Sequence, residues 1–105
     1  MKKIFIASLM LLVVGCAGLV QTGSLSGAYE SYENKDYDET LKLIRLAENI
    51  TEISPELKAE LTYLKAQTYE EMGKNETAET LYQFLKAHHN DSQYGHLAAK
   101  RLEKK

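Results

Sequence analysis

Residues Ser54–Asn75 read SPELKAELTYLKAQTYEEMGKN, and this stretch decides the fold class. Apolar or small side chains recur in it every three or four residues, at Leu57, Leu61, Leu64, Thr68 and Met72. This spacing predicts a helix with one buried face. Ser54 is typical of an N-cap with Pro55 in the first turn, and Gly73 suits the left-handed backbone that ends a helix. The stretch therefore predicts one helix over residues 55–72.

Similar signals lie on both sides of this stretch. A run at helical spacing precedes it, formed by Leu41, Ile44, Ala47 and Ile50. Asp36 followed by Glu39 fits a capping box before that run, Asn75 can cap a later helix, and Asp91 or Ser92 can begin the last one. Val and Trp are absent after residue 20, which disfavours strands. The chain is predicted to be all-α, with helices over residues 24–34, 37–52, 55–72, 76–88 and 92–103.

The helical pairs repeat along the chain. Residues 32–41 (YENKDYDETL) align with residues 70–79 (EEMGKNETAE) at an offset of 38 residues. On this pattern the chain resembles the tetratricopeptide repeat (TPR) family, whose period is about 34 residues. The resemblance rests on Ala28, residues 36–39 and Ala47 in the first repeat, and on Ala66, Tyr69, Gly73, Ala78 and Tyr82 in the second. It implies TPR-like antiparallel helical hairpins, two repeats plus a C-terminal capping helix, in a domain over residues 28–105.

The same resemblance implies a binding groove. First-helix positions of TPR repeats line a concave surface, and in this chain those positions hold Tyr29, Tyr32, Tyr63, Gln67 and Glu70. Tyr69 and Tyr82 are expected to fill inter-helix packing instead. Because tyrosine offers a large contact area at a low entropy cost, the groove set is predicted to contact a protein or peptide partner.

The first 20 residues have a different character, since 15 of them are apolar. Lys2 and Lys3 precede an apolar run over residues 4–14 that is interrupted only by Ser8, as in a secretory signal peptide. The longest apolar stretch, residues 4–20, would span about 25 Å as a helix, less than the bilayer core of about 30 Å. A cleaved signal peptide is therefore predicted, as opposed to a membrane span.

The end of this leader, Val13–Cys16 (VVGC), resembles the lipobox of bacterial lipoproteins. The resemblance implies cleavage after residue 15, acylation of Cys16 and anchoring in the membrane; the alternative is a Cys that merely sits in an apolar segment. Ala17 in place of Asp implies outer-membrane sorting, facing the periplasm, if the source is Gram-negative. Residues 18–27 hold three Gly and two Ser, so residues 16–27 are predicted to form the lipidated Cys and a flexible tether.

Composition argues against several chemistries. Of 13 basic and 15 acidic side chains, loss of Lys2 and Lys3 leaves 11 and 15, a net charge of −4 that disfavours nucleic-acid binding. A single Cys excludes an intramolecular disulfide and a multi-thiolate zinc site. Among the three histidines, the adjacent His88 and His89 face different sides of a helix and have no carboxylate four residues on. No nucleophile–base arrangement or phosphate loop is present, so no enzyme activity, metal or cofactor is predicted.

These observations together predict a membrane-anchored envelope lipoprotein. Its TPR-like domain is expected to act as a protein–protein interaction adaptor in the assembly of an envelope complex. Two alternatives belong to other classes. A structural homo-oligomer would pair its tyrosine surface with a second copy, and a small-ligand or peptidoglycan-fragment binding protein would need a closed pocket instead of an open groove.

Overall fold

The structure is a computed structural model that describes residues 24–50 and 52–104. Every regular element in these two ranges is a helix, and no strand occurs among them: α1 covers residues 24–33, α2 Tyr37–Glu48, α3 Pro55–Glu71, α4 Asn75–His88 and α5 Gln93–Glu103. The all-α prediction is confirmed for this part of the chain. None of these helices combines the length and apolar character needed to cross a membrane. The predicted signal peptide and Cys16 lie outside the described residues.

The helix ends follow the expected capping chemistry at three positions. The backbone N–H of Leu57 donates to Ser54 Oγ at 3.1 Å, and that of Gly95 donates to Ser92 Oγ at 3.1 Å. Gly73 has a φ of +80° after α3, the left-handed conformation that a glycine adopts without steric cost. The predicted caps at Ser54 and Ser92 and the predicted stop at Gly73 are therefore confirmed, and the bounds of α3 and α5 agree with the predicted ones to within one residue.

Two boundary predictions are wrong. The helix predicted over residues 37–52 ends at Glu48, and Glu52 has a φ of +67°. The β-branched residues at 50, 51 and 53 lower the helix propensity there, and the chain must become extended before Pro55. Asn75 does not cap α4 either: it is the first helical residue, and the N-cap position is held by Lys74 without a side-chain hydrogen bond.

The helices lie in two layers. Each helix from α2 to α5 packs on the next one, and α3 also packs on α5, whereas α2 and α4 do not touch each other. α1 joins the layer of α3, because the hydroxyl of Tyr29 donates to the carboxylate of Glu60 at 2.7 Å. Thus α1, α3 and α5 form one layer, and α2 and α4 form the other.

Two apolar cores lie between the layers, and both use α3. The N-terminal core joins α1, α2 and α3 through Ala28, Ile44, Ala47, Leu61 and Leu64. The C-terminal core joins α3, α4 and α5 through Ala59, Ala66, Ala78, Tyr82, Leu85 and Ala98. Leu25 packs against the N-terminal core, so residues 24–27, which were included in the predicted tether, belong to α1.

Small residues set how closely the helices approach. The alanines of both cores are at most 1% exposed, and Gly95 is also buried. A Cβ added at Gly95 would lie 1.9 Å from the carbonyl oxygen of His89. The start of α5 therefore packs directly against the backbone that follows α4.

The polar groups inside the helices are satisfied locally. Thr40, Thr62 and Thr68 are buried, and each hydroxyl donates to the carbonyl four residues earlier, at 2.7–2.9 Å. Within the described ranges, no buried side-chain nitrogen or oxygen lacks a hydrogen-bond partner.

Candidate functional site: a tyrosine face on α1, α3 and α5

The layer of α1, α3 and α5 presents a tyrosine-rich surface to solvent. We call it the tyrosine face and define it by Tyr29, Tyr32, Glu60, Tyr63, Gln67, Glu70, Tyr94 and Arg101. On α3 its members follow one another at intervals of three and four residues, so they form a single stripe. This stripe is half-buried, whereas the neighbouring Leu61 and Leu64 are fully buried. The tyrosine face therefore runs along the border between core and solvent.

One end of the tyrosine face is organised by Glu60. The hydroxyl of Tyr29, a residue 37% exposed, donates to Glu60 Oε2 at 2.7 Å. Burial is the largest cause that raises the pKa of Tyr29, and the hydrogen bond to Glu60 and the negative charge of Glu60 raise it further. Burial is also the largest cause that raises the pKa of Tyr94, followed by the charge of Glu60 and a hydrogen bond to it. Side chains from α1 and α5 thus converge on one carboxylate of α3.

Aromatic rings that pack at tilted angles form the centre of the tyrosine face. The ring centroid of Tyr63 lies 5.7 Å from that of Tyr94 and 5.8 Å from that of Tyr82. Both distances are in the range of favourable aromatic pairs. Tyr63 also packs against the C-terminal core, so this predicted groove residue supports the fold as well as the surface.

The other end is organised by Glu70. Its Oε1 accepts a hydrogen bond from the hydroxyl of Tyr82 at 2.8 Å and forms a salt bridge with the guanidinium of Arg101. Burial, then hydrogen bonding to Glu70, raises the pKa of Tyr82. Tyr82 is 1% exposed and Tyr69 packs beside it, so both fill inter-helix packing as predicted.

Tyr32 extends the tyrosine face along α1. Its ring is half-buried, lies edge-on to that of Tyr37 at 5.9 Å and packs against the N-terminal core. Burial, then the charge of Glu71, raises the pKa of Tyr32. The charge of Glu70 also raises the pKa of Tyr32, and the charge of Arg101 lowers it. The Tyr32 hydroxyl therefore lies within electrostatic range of the Glu70 end.

The structure places all five predicted groove residues on this face, since Gln67 continues the stripe of Tyr63 and Glu70 along α3. The sequence interpretation missed Glu60, Tyr94 and Arg101. Glu60 could have been found, because it stands three residues before Tyr63 and seven before Gln67 on the same helix face. Tyr94 and Arg101 could not have been placed, because the register of the last helix was not determined by the repeat.

Other candidates are the pair of adjacent histidines and an open depression on the surface. The rings of His88 and His89 lie 4.8 Å and 5.7 Å from that of Phe84. Across residues 24–50 and 52–104 no three His, Cys, Asp or Glu side chains are grouped so that they could hold a metal ion. An open depression of about 490 Å³ lies between α4 and α5, beside Gln83 and Leu102, away from the tyrosine face.

Comparisons with protein-family models, with curated proteins and with solved structures give no match for this chain.

Proposed function

We propose that this protein is an envelope lipoprotein whose TPR-like helical domain binds a protein or peptide partner through the tyrosine face. Cys16 carries the lipid anchor, and the domain acts as an adaptor in the assembly of an envelope complex. The single observation that carries the proposal is the convergence of partly exposed tyrosines from three different helices on one surface.

The layer arrangement supports the TPR-like part of the proposal. In a TPR solenoid the first helices of successive repeats are neighbours, and here α3 packs on α5 while α2 and α4 remain apart. Four alanines on which the resemblance rests are 0–1% exposed, namely Ala28, Ala47, Ala66 and Ala78. Small residues at these positions permit the close helix packing that the repeat requires.

The exposed part of the tyrosine face supports partner binding. Tyr29 and the side chain of Arg101 are 37% and 41% exposed, so each has surface that a partner can bury. Tyrosine and arginine are the residue types that most often dominate binding energy at protein interfaces. Their hydrogen bonds to Glu60 and Glu70 hold them in place before binding, which lowers the entropy cost of association.

The sequence between the anchor and the domain supports binding near the bilayer. Seven residues separate Cys16 from residue 24, where the described part of α1 begins. Even fully extended, they span about 25 Å at most. The adaptor thus works on partners at the membrane surface.

The anchoring part is tested by mass spectrometry. The protein extracted from membranes should begin at Cys16 and carry acyl chains, and C16S should leave an unprocessed precursor. A wild-type protein that retains Met1, or that begins at another residue, would refute the lipoprotein assignment.

The binding part is tested by crosslinking in the native envelope. Tyr29→Ala removes an exposed ring from the tyrosine face, and Phe84→Ala removes an equally exposed ring, 38% against 37%, from the other layer. Tyr29→Ala should weaken partner capture by more than about 1 kcal/mol, as interface aromatics often do, and Phe84→Ala should leave it unchanged.

Tyr32→Ala and Tyr63→Ala should also weaken capture, but both rings pack on a core, so each also lowers the melting temperature. Affinity must therefore be expressed per folded molecule for these two variants. Unchanged capture by all three tyrosine variants would refute the adaptor function. If the species captured is a second copy of the chain, the protein is a structural homo-oligomer instead.

A further inference from the structure

We propose that the partner segment bound by the tyrosine face is cationic: it brings arginine or lysine side chains to the Glu60 end of this face. The inference rests on the proposed function and specifies the chemistry of its partner. It follows from the charges on the tyrosine face and from the direction of its hydrogen bonds.

The charges around the tyrosines are predominantly negative. The negative charges of Glu56 and Glu60 raise the pKa of Tyr94, and those of Glu70 and Glu71 raise the pKa of Tyr32. Among the described residues, the positive charge of Arg101 lowers the pKa of Tyr32 and Tyr63. Its guanidinium is already paired with Glu70. In the part of the chain that the structure describes, no salt bridge joins a cation to Glu60, so a cationic side chain is the electrostatic complement of this end.

The hydrogen bonds point to the same chemistry. Because the hydroxyl of Tyr29 donates its proton to Glu60, the phenolic oxygen turns only lone pairs toward a partner. Glu60 itself can only accept. This end of the tyrosine face thus offers acceptors and the negative faces of aromatic rings, and guanidinium and ammonium groups satisfy both. A carboxylate-bearing segment would be repelled there by the negative charges of Glu56 and Glu60.

Two peptide probes test the inference. The first is an acetylated, amidated heptapeptide, Ala-Arg-Ala-Leu-Ala-Arg-Ala, and the second has Glu in place of both Arg. Each is titrated into the full protein, purified from membranes in a nonionic detergent, by calorimetry. Tyrosine fluorescence gives a second signal, which tryptophan emission does not obscure because the chain contains no Trp.

The arginine probe should bind and the glutamate probe should not. Raising the salt from about 20 mM to about 500 mM should weaken binding, because partly exposed charge pairs are screened. Glu60→Gln keeps an acceptor for Tyr29 but removes the charge, so it should weaken the arginine probe about threefold to fivefold. Glu76→Gln on α4 is the matched control and should change nothing.

The inference is overturned if the glutamate probe binds as well as the arginine probe, or if Glu60→Gln and Glu76→Gln have equal effects. Neither result affects the adaptor function, which depends on envelope capture by the tyrosine variants. Capture that requires Tyr29, combined with no preference between the probes, would retain the adaptor and discard its cationic partner. Circular dichroism of Glu60→Gln at the assay temperature confirms that the variant is folded.

Discussion

Replacing Gly95 by Ala tests the close approach of α5 to the backbone that follows α4. The new Cβ would lie 1.9 Å from the carbonyl oxygen of His89 and 2.7 Å from its carbonyl carbon. Both are backbone atoms, so no side-chain rotation relieves the clash. The first turn of α5 must move away from the segment that follows α4.

The expected cost follows from three contributions. Overpacking in a closely packed site costs about 1–3 kcal/mol. Displacing Gly95 also disturbs its N–H bond to Ser92 Oγ, and an N-cap contributes about 1 kcal/mol. The better helix propensity of Ala offsets about 1 kcal/mol of this destabilisation. A net loss of about 1–3 kcal/mol should lower the melting temperature by about 4–24 °C for a domain of this size.

Thermal unfolding followed by circular dichroism measures this loss. Gln93→Ala, at an exposed position of the same turn, should stay within about 0.5 kcal/mol of the wild type. Gly73→Ala provides a second reference: its φ of +80° strains any side chain, but nothing lies within 4 Å, so it should cost about 1 kcal/mol. If Gly95→Ala melts at the wild-type temperature, the close approach of α5 to His89 is not a feature of the folded protein.

Three further outcomes are expected. The pKa values of Tyr29 and Tyr82 are raised on folding, so the unfolded chain ionises first above about pH 10. The stability that these two tyrosines contribute is fully present below that pH and is lost above it, so the melting temperature should fall as the pH rises above about 10, and less steeply in Tyr82→Phe. Glu70→Ala leaves the buried hydroxyl of Tyr82 without its acceptor and should cost about 1–3 kcal/mol in urea unfolding; in the Tyr82→Phe background the cost should shrink, and equal costs would contradict the pairing. Ser54→Ala removes the cap on the N–H of Leu57 and should cost about 1 kcal/mol by the same assay, whereas no loss would mean that the cap does not hold α3.

Much of the fold could be predicted because its signals are local. The helical spacing from Leu57 to Met72, the cap at Ser54 and the left-handed stop at Gly73 each act within a few residues. The end of α2 was misjudged for the same reason: Ile50 continues the apolar spacing, but the chain must leave the helix to become extended before Pro55. The spacing of apolar residues contains no information about the extended backbone that Pro55 requires before it.

The candidate site was only partly predictable. Tyr29 and Tyr63 could be placed because the TPR resemblance puts both at first-helix positions that line a concave surface. Their contacts could not be predicted: the sequence puts Glu60 on the same helix face as Tyr63, but nothing in it pairs Glu60 with Tyr29, and Arg101 is one of several basic residues near the end of α5. That they join α1 to α3 and α5 to α3 depends on tertiary contacts between residues 31 positions apart.

The sharing of α3 by the two cores has a dynamic consequence. α1 and α2 can detach as a unit while α3, α4 and α5 keep the C-terminal core, so amide protons of α2 should exchange through a lower-energy opening than those of α4. A partner lying across α1, α3 and α5 would oppose that detachment. Slowed hydrogen exchange in α2, a helix outside the tyrosine face, would then report occupancy of that face.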